Sequence, residues 1–279
     1  LRRTLDTLLT ASTNLVSNAA AITSNIWVNE ANPARVWFAI GTAVYRSTDG
    51  GATKTAMATA PASVSWIIED PAVDNSVFIA AGANLYNATD PTVGWATLYA
   101  GPGGATARQF VRSRDGQITW VCYTGAPSGD AAQRVENGAS ADLAVTDIRT
   151  IALDKDANSL AATLYLIGAN NPPSIYSVDG LTGLSAHTFT AALPSGSTAM
   201  HMLPDPDVDL FYTADFDSVA VGTGAVRKFF PSADQLLLMM EGAVGQQAHM
   251  LGFGEAAGAG VAGLILLPYG ASGAADKLW

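Results

Sequence analysis

The chain has 279 residues, of which 49% are hydrophobic and only 14% charged, with a formal net charge of −10 at pH 7. Its 14 Lys and Arg are scattered, so it lacks the clustered cations that neutralise phosphates, which excludes general nucleic-acid binding. Cys122 is the only cysteine, so no disulfide can form within the sequence, and no apolar run approaches the roughly eighteen residues that span a bilayer.

Residues 1–24 carry Leu5, Leu8, Leu15 and Ile22 at spacings compatible with one helix face, interleaved with Thr, Ser and Asn, which are poor helix formers. This segment reads as an N-terminal arm or attachment segment that docks on a partner, or else as an outer strand that completes a sheet.

From residue 25 to 279 the pattern changes to short apolar stretches paired around polar turns. Trp27-Val28 precedes the turn at 29–33 and then Val36 to Ile40; Trp66-Ile67-Ile68 precedes 69–75 and then Val77 to Ala81. Phe110-Val111 precedes Ile118 to Thr124, Ile148 to Leu153 precedes Thr163 to Ile167, and His201-Met202-Leu203 precedes Leu210 to Ala214. Strand, polar turn, strand is the local signature.

These units repeat. Gly41 and Tyr45 recur as Gly82 and Tyr86, both displaced by 41 residues, and Gly125 and Gly168 follow at steps of 43. Beyond them, Leu210 to Ala214 and Leu264 to Gly270 are similar strands at longer spacing, which makes six units. Regular short strands rich in Gly and Pro, without helical periodicity, indicate small antiparallel sheets repeated around an axis. The expected fold is an all-β β-propeller, six blades first, with five to seven compatible. A terminal Trp279 could pack on the first blade and close the ring.

One turn carries a motif. Tyr45-Arg46-Ser47-Thr48-Asp49-Gly50-Gly51-Ala52-Thr53 contains Ser47, Asp49, Gly51 and Thr53 at a Ser-x-Asp-x-Gly-x-Thr spacing, with weaker echoes at Asp90 and at Ser177 and Asp179. The stretch resembles the Asp-box of bacterial-neuraminidase-type repeats, with Lys54 where that family usually places a Trp. The resemblance implies a propeller in which the box is an outer hairpin turn, a folding device and not an active site.

A sialidase-like activity is the obvious extension, and in the resembling sialidases three arginines bind the substrate carboxylate. The Arg-Ile-Pro entry motif is absent, and Arg46, Arg134, Arg149 and Arg227 lie in dissimilar contexts, so no sialidase residue is carried over. Arg108, Arg112 and Arg114 read as solvated edge-strand charges. Asp205 to Asp209 reads as an Asx-rich turn before a calcium site. His201-Met202-Leu203 and His249-Met250-Leu251 look like one blade position repeated, without metal-ligand spacing. Cys122 reads as a buried hydrophobe and the tryptophans as core.

No catalytic, metal or cofactor-binding residue is therefore assigned. The expectation is a non-catalytic binding or assembly module whose partners are proteins of a larger assembly, a surface glycan or a protein receptor. A disulfide-free, acidic, Ala/Gly/Thr-rich propeller with an arm resembles propeller domains of phage tails, fibres and other virion surfaces, which places it on a virion or outside the cell. The alternatives are a secreted glycan-binding propeller and a glycoside hydrolase with an unrecognised carboxylate pair.

Overall fold

The computed structural model describes residues 23–270 apart from 30–31, 33, 71–72, 74, 127–131, 146, 155–156, 185, 206–208, 218–223, 242–245 and 256–261, together with residues 2–3 and 13–14. β1 (Arg2–Arg3) and β2 (Thr13–Asn14) pair with each other. Apart from Thr23, whose N–H donates to the Ala39 carbonyl (3.0 Å), and Ser24, the rest of the expected N-terminal arm lies outside the described residues, as does Trp279.

Five four-stranded antiparallel sheets follow, each a meander in chain order. Blade 1 is β3 (Trp27–Val28), β4 (Val36–Ile40), β5 (Ala43–Ser47) and β6 (Thr55–Ala56); blade 2 is β7 (Val64–Glu69), β8 (Val77–Ala81), β9 (Asn84–Ala88) and β10 (Ala96–Tyr99). Blade 3 is β11 (Thr106–Arg112), β12 (Ile118–Thr124), β13 (Ala132–Glu136) and β14 (Ala139–Asp142). Blade 4 is β15 (Ile148–Leu153), β16 (Thr163–Gly168), β17 (Ser174–Asp179) and β18 (Ala186–Ala192). Blade 5 is β19 (Ser197–Pro204), β20 (Phe211–Asp217), β21 (Gly224–Phe230) and β22 (Gln235–Glu241).

The fold is a β-propeller, and the expected blade number is corrected: five blades are present, not six. The sixth sequence unit, ending in Leu264 to Gly270, exists as β24 (Ala262–Gly270), but it pairs only with β23 (Gln246–Glu255) in a two-stranded ladder. β23 lies against β19, β20 and β21 on one side and touches β3 on the other.

Blades are packed on both faces, which is why second strands such as β4 (Val-Trp-Phe-Ala-Ile) and β8 (Val-Phe-Ile-Ala-Ala) are apolar throughout instead of alternating with polar residues. All five residues of β8 are buried, as are six of the seven in β12. The core is a series of slabs between neighbouring blades. Trp37, Ala39 and Val44 of blade 1 meet Val64, Ile67 and Ile79 of blade 2, and Trp120 and Cys122 of blade 3 meet Ile151 and Leu164 of blade 4. The repeated glycines turn the second strand into the third: Gly41, Gly82 and Gly125 have φ of 60°, 59° and 73°, a region that costs side-chain-bearing residues strain.

Side-chain amides join consecutive blades on the inner side. Asn25, just before β3, donates from Nδ2 to the Ile67 carbonyl (2.8 Å) and accepts from the Ile67 N–H (2.7 Å). Gln109 does the same to Ile151, donating from Nε2 to its carbonyl (2.7 Å) and accepting from its N–H (3.2 Å), and it also accepts from the Thr150 hydroxyl (2.7 Å). Both bridges link residues 42 apart, close to the sequence period. Gln109→Leu leaves the Ile151 N–H and C=O buried without partners, so it should destabilise the fold by about 2–4 kcal/mol, read from the urea midpoint at unchanged m-value.

Candidate functional site

Outer hairpins and the central channel are the two places where the sequence and the fold converge. The Ser47–Thr53 turn joins β5 to β6. Asp49 Oδ1 accepts from the Ser47 hydroxyl (2.8 Å) and the Thr53 N–H (2.8 Å), and Oδ2 accepts from the Thr53 hydroxyl (2.6 Å). Ser47 Oγ accepts from the Gly51 N–H (2.7 Å), while Gly50 and Gly51 supply φ of 65° and 89°. The Thr53 side chain, with the Thr53 amide and Ser47 adding to it, holds the Asp49 carboxyl well below the usual carboxylate range. Lys54 Nζ sits 4.7 Å from the centre of the Tyr45 ring.

The echoes occupy the same hairpin in other blades. Asp90, between β9 and β10, accepts from the Thr92 hydroxyl (2.6 Å) and N–H (3.0 Å). Asp179, between β17 and β18, accepts from the Leu181 and Thr182 N–H groups (2.8 and 3.0 Å). Ser177 stays outside that turn and lines an open groove of about 540 Å³ with Leu160, Leu181 and His187. Blade 3 uses Asn137-Gly138 in the same hairpin, with φ of 51° and 78°. In blade 5 Asp234 (φ 48°) accepts from the backbone of Thr190 and Ala191 in blade 4, both at 2.9 Å. Asn137 and Asp234 were missed because neither hairpin repeats the Ser-x-Asp spacing. Their common signal is a short polar residue at positive φ.

The innermost strands line the channel in a propeller. Those of blades 2 to 5 break register with their neighbours, as does β23, whereas β3 pairs without a break: Ser65 in β7, Arg108 in β11, Arg149 in β15, Met200 in β19 and His249 in β23 are passed over in the pairing. His201 directly follows such a break, whereas His249 is itself passed over, so the two histidines do not hold one repeated register position, contrary to expectation. His201 of blade 5 meets Trp66 of blade 2 edge-on, ring centres 5.1 Å apart. Burial pushes the His201 imidazole down to about 4 and the Cys122 thiol up to about 11, so near neutrality His201 is neutral and Cys122 stays a thiol.

On β3, β7, β11, β15 and β19 the one carboxylate is Glu69, 2% exposed. It is held by Arg35 Nε at 3.2 Å, Asn29 Nδ2 at 2.7 Å and the Asn75 N–H at 3.1 Å. Arg112 is not the solvated charge expected: its guanidinium lies 3.9 Å from Asp70 and stacks 3.9 Å over the Phe78 ring, on a side chain only 8% exposed. Asp215 pairs with Arg227 at 3.2 Å, and no three His, Cys, Asp or Glu converge as a metal site among the described residues. Trp37 and Trp120 are fully buried.

No family model and no curated protein matches the chain. Solved structures share its fold. An ancestral GH74 enzyme superposes with a TM-score of 0.59 at 11% identity, covering 87% of this chain, which spans only 37% of that enzyme. The β-propeller domain of Cps50 (Swd1) from Myceliophteria thermophila gives 0.60 at 14% identity, covering 86% of this chain and 79% of that one. A TolB from Agrobacterium tumefaciens gives 0.59 at 14%, covering 83% and 84%. At these identities the likeness concerns the fold alone.

Two measurements check the electrostatics. The folded protein resists protonation of His201 until about pH 4, whereas the unfolded chain takes up that proton near 6.5. The contribution is thus present above pH 6.5 and is lost as pH falls toward 4. Wild type should lose on the order of 3 kcal/mol more than His201→Leu across that window, measured by denaturation at each pH. Asp49→Asn should speed hydrogen exchange at Thr53 at neutral pH while leaving the amides of blade 4 unchanged.

Proposed function

We propose that the chain is a non-catalytic β-propeller module of the Asp-box type that binds and assembles with other proteins. Its proposed setting is a virion surface such as a phage tail or fibre, where it serves a structural or receptor-binding role. The carrying observation is β22, the outermost strand of blade 5, with the sequence Gln-Leu-Leu-Leu-Met-Met-Glu. Leu237, Leu238 and Met239 are 50%, 52% and 45% exposed, and among the described residues β22 pairs only with β21. A free edge carrying consecutive apolar side chains is a liability that proteins avoid unless another chain covers it. The outer strands β6 and β14, Thr55–Ala56 and Ala139–Asp142, are exposed but small or polar, so the adhesive edge belongs to one side of the ring.

The Ser47–Asp49–Thr53 geometry supports the Asp-box reading. A glycoside hydrolase needs two carboxyl groups roughly 5–10 Å apart, and the innermost strands of the five blades among the described residues offer only Glu69, already engaged by Arg35. The expected result of Leu237→Lys combined with Met239→Lys is loss of concentration-dependent association in sedimentation velocity, with the melting temperature preserved. A glycan panel scored for retention and product release completes the test: released sugar overturns the non-catalytic reading, and retention without release identifies a glycan as the receptor.

A further inference from the structure

Five arginines of this acidic chain have an assigned neighbour. Arg35 faces Glu69, Arg112 faces Asp70, Arg134 faces Glu136, Arg227 faces Asp215, and Arg46 lies over the Trp37 ring. Arg108 and Arg149 differ. Each is half-buried, and among the described residues neither guanidinium has a carboxylate or hydrogen-bond partner. They stand in a chain with 24 Asp and Glu against 14 Lys and Arg, so carboxylates are not scarce.

Their placement is specific. Arg108 and Arg149 are the residues passed over at the register breaks of β11 and β15, the innermost strands of adjacent blades. An extra residue in an edge strand re-aims its side chain out of the ladder. The residues that follow them are clamped together: Thr150 donates its hydroxyl to Gln109 Oε1 at 2.7 Å, and the Gln109 amide grips both backbone groups of Ile151. The Cys122 thiol lies 3.5 Å from the Gln109 carbonyl and 3.9 Å from the Arg149 carbonyl, which sets the two breaks side by side. Burial lowers the Arg108 pKa, the neighbouring Cys122 offsets part of that, and the positive charge of Arg149 lowers it again. Two like charges, partly stripped of water and anchored on rigid strands, repel one another until an anion lies between them.

The geometry points to a binding site for one oxyanion group, a carboxylate or a tetrahedral phosphate or sulfate, gripped between Arg108 and Arg149 at the channel-facing edges of blades 3 and 4. The planar forks suit such a group, and the net negative charge of the chain leaves the selectivity to short-range hydrogen bonds. The site is independent of the apolar edge on blade 5 and does not rest on the assembly reading.

The test is titration of the full chain with inorganic phosphate and, separately, with acetate at constant ionic strength, following the arginine Nε–H resonances by NMR. Saturable shifts of two arginine signals are expected, and whichever anion saturates first distinguishes tetrahedral from carboxylate recognition. Arg108→Gln or Arg149→Gln should each weaken that binding about tenfold or more. Without anion, either variant should melt at or above the wild-type temperature, because repulsion is relieved. Linear, unsaturated shifts in the wild type, or equal affinity in wild type and both variants, would overturn the site; so would destabilisation by both variants without anion, the mark of a purely structural pair.

Discussion

The rest of the structure depends on how one blade is joined to the next at the inner edge. An innermost strand pairs on one side only, and its other backbone edge faces the channel. A primary amide can both donate and accept, so it can imitate the missing strand for one residue. Asn25 does this for Ile67 and Gln109 does it for Ile151, in each case reaching across a blade boundary. The period of just over forty residues is thus the chain length needed to go through four strands and return to the inner edge.

Between these polar bridges the apolar slabs supply cohesion. Because each slab draws on two blades, Ile67 and Ile151 are each held twice by the preceding blade, through side-chain packing and through the amide that grips the backbone. Rigidity at the inner edge has a chemical result: residues placed there cannot relax away from an unfavourable neighbour. Burial beside Trp66 keeps the His201 imidazole neutral, and the clamp around Gln109 fixes side by side the register breaks that carry Arg108 and Arg149. The outer rim is tolerant by contrast. Asp49, Asp90, Asn137, Asp179 and Asp234 solve the same hairpin with five different local patterns, since each turn needs only a short polar side chain and a residue that accepts positive φ or a tight bend.

The sequence by itself determined the features that depend on neighbours in the chain. The all-β class, the strand–turn–strand units and the glycine register through Gly41, Gly82 and Gly125 are written locally, as is the Asp49 turn, whose hydrogen bonds close within four residues. Only the tertiary structure decided the number of complete blades, because similar apolar strands can end a four-stranded sheet or stop at a two-stranded ladder such as β23–β24. It also decided which charges are paired. Arg108, Arg112 and Arg114 look alike in sequence, yet the first is the residue passed over at the register break of β11, while the fold brings Asp70 and Phe78 from blade 2 to the second. The exposure of Leu237 to Met239 belongs to the same class: an apolar run specifies a strand, but whether that strand is central or outermost depends on what the rest of the ring leaves uncovered.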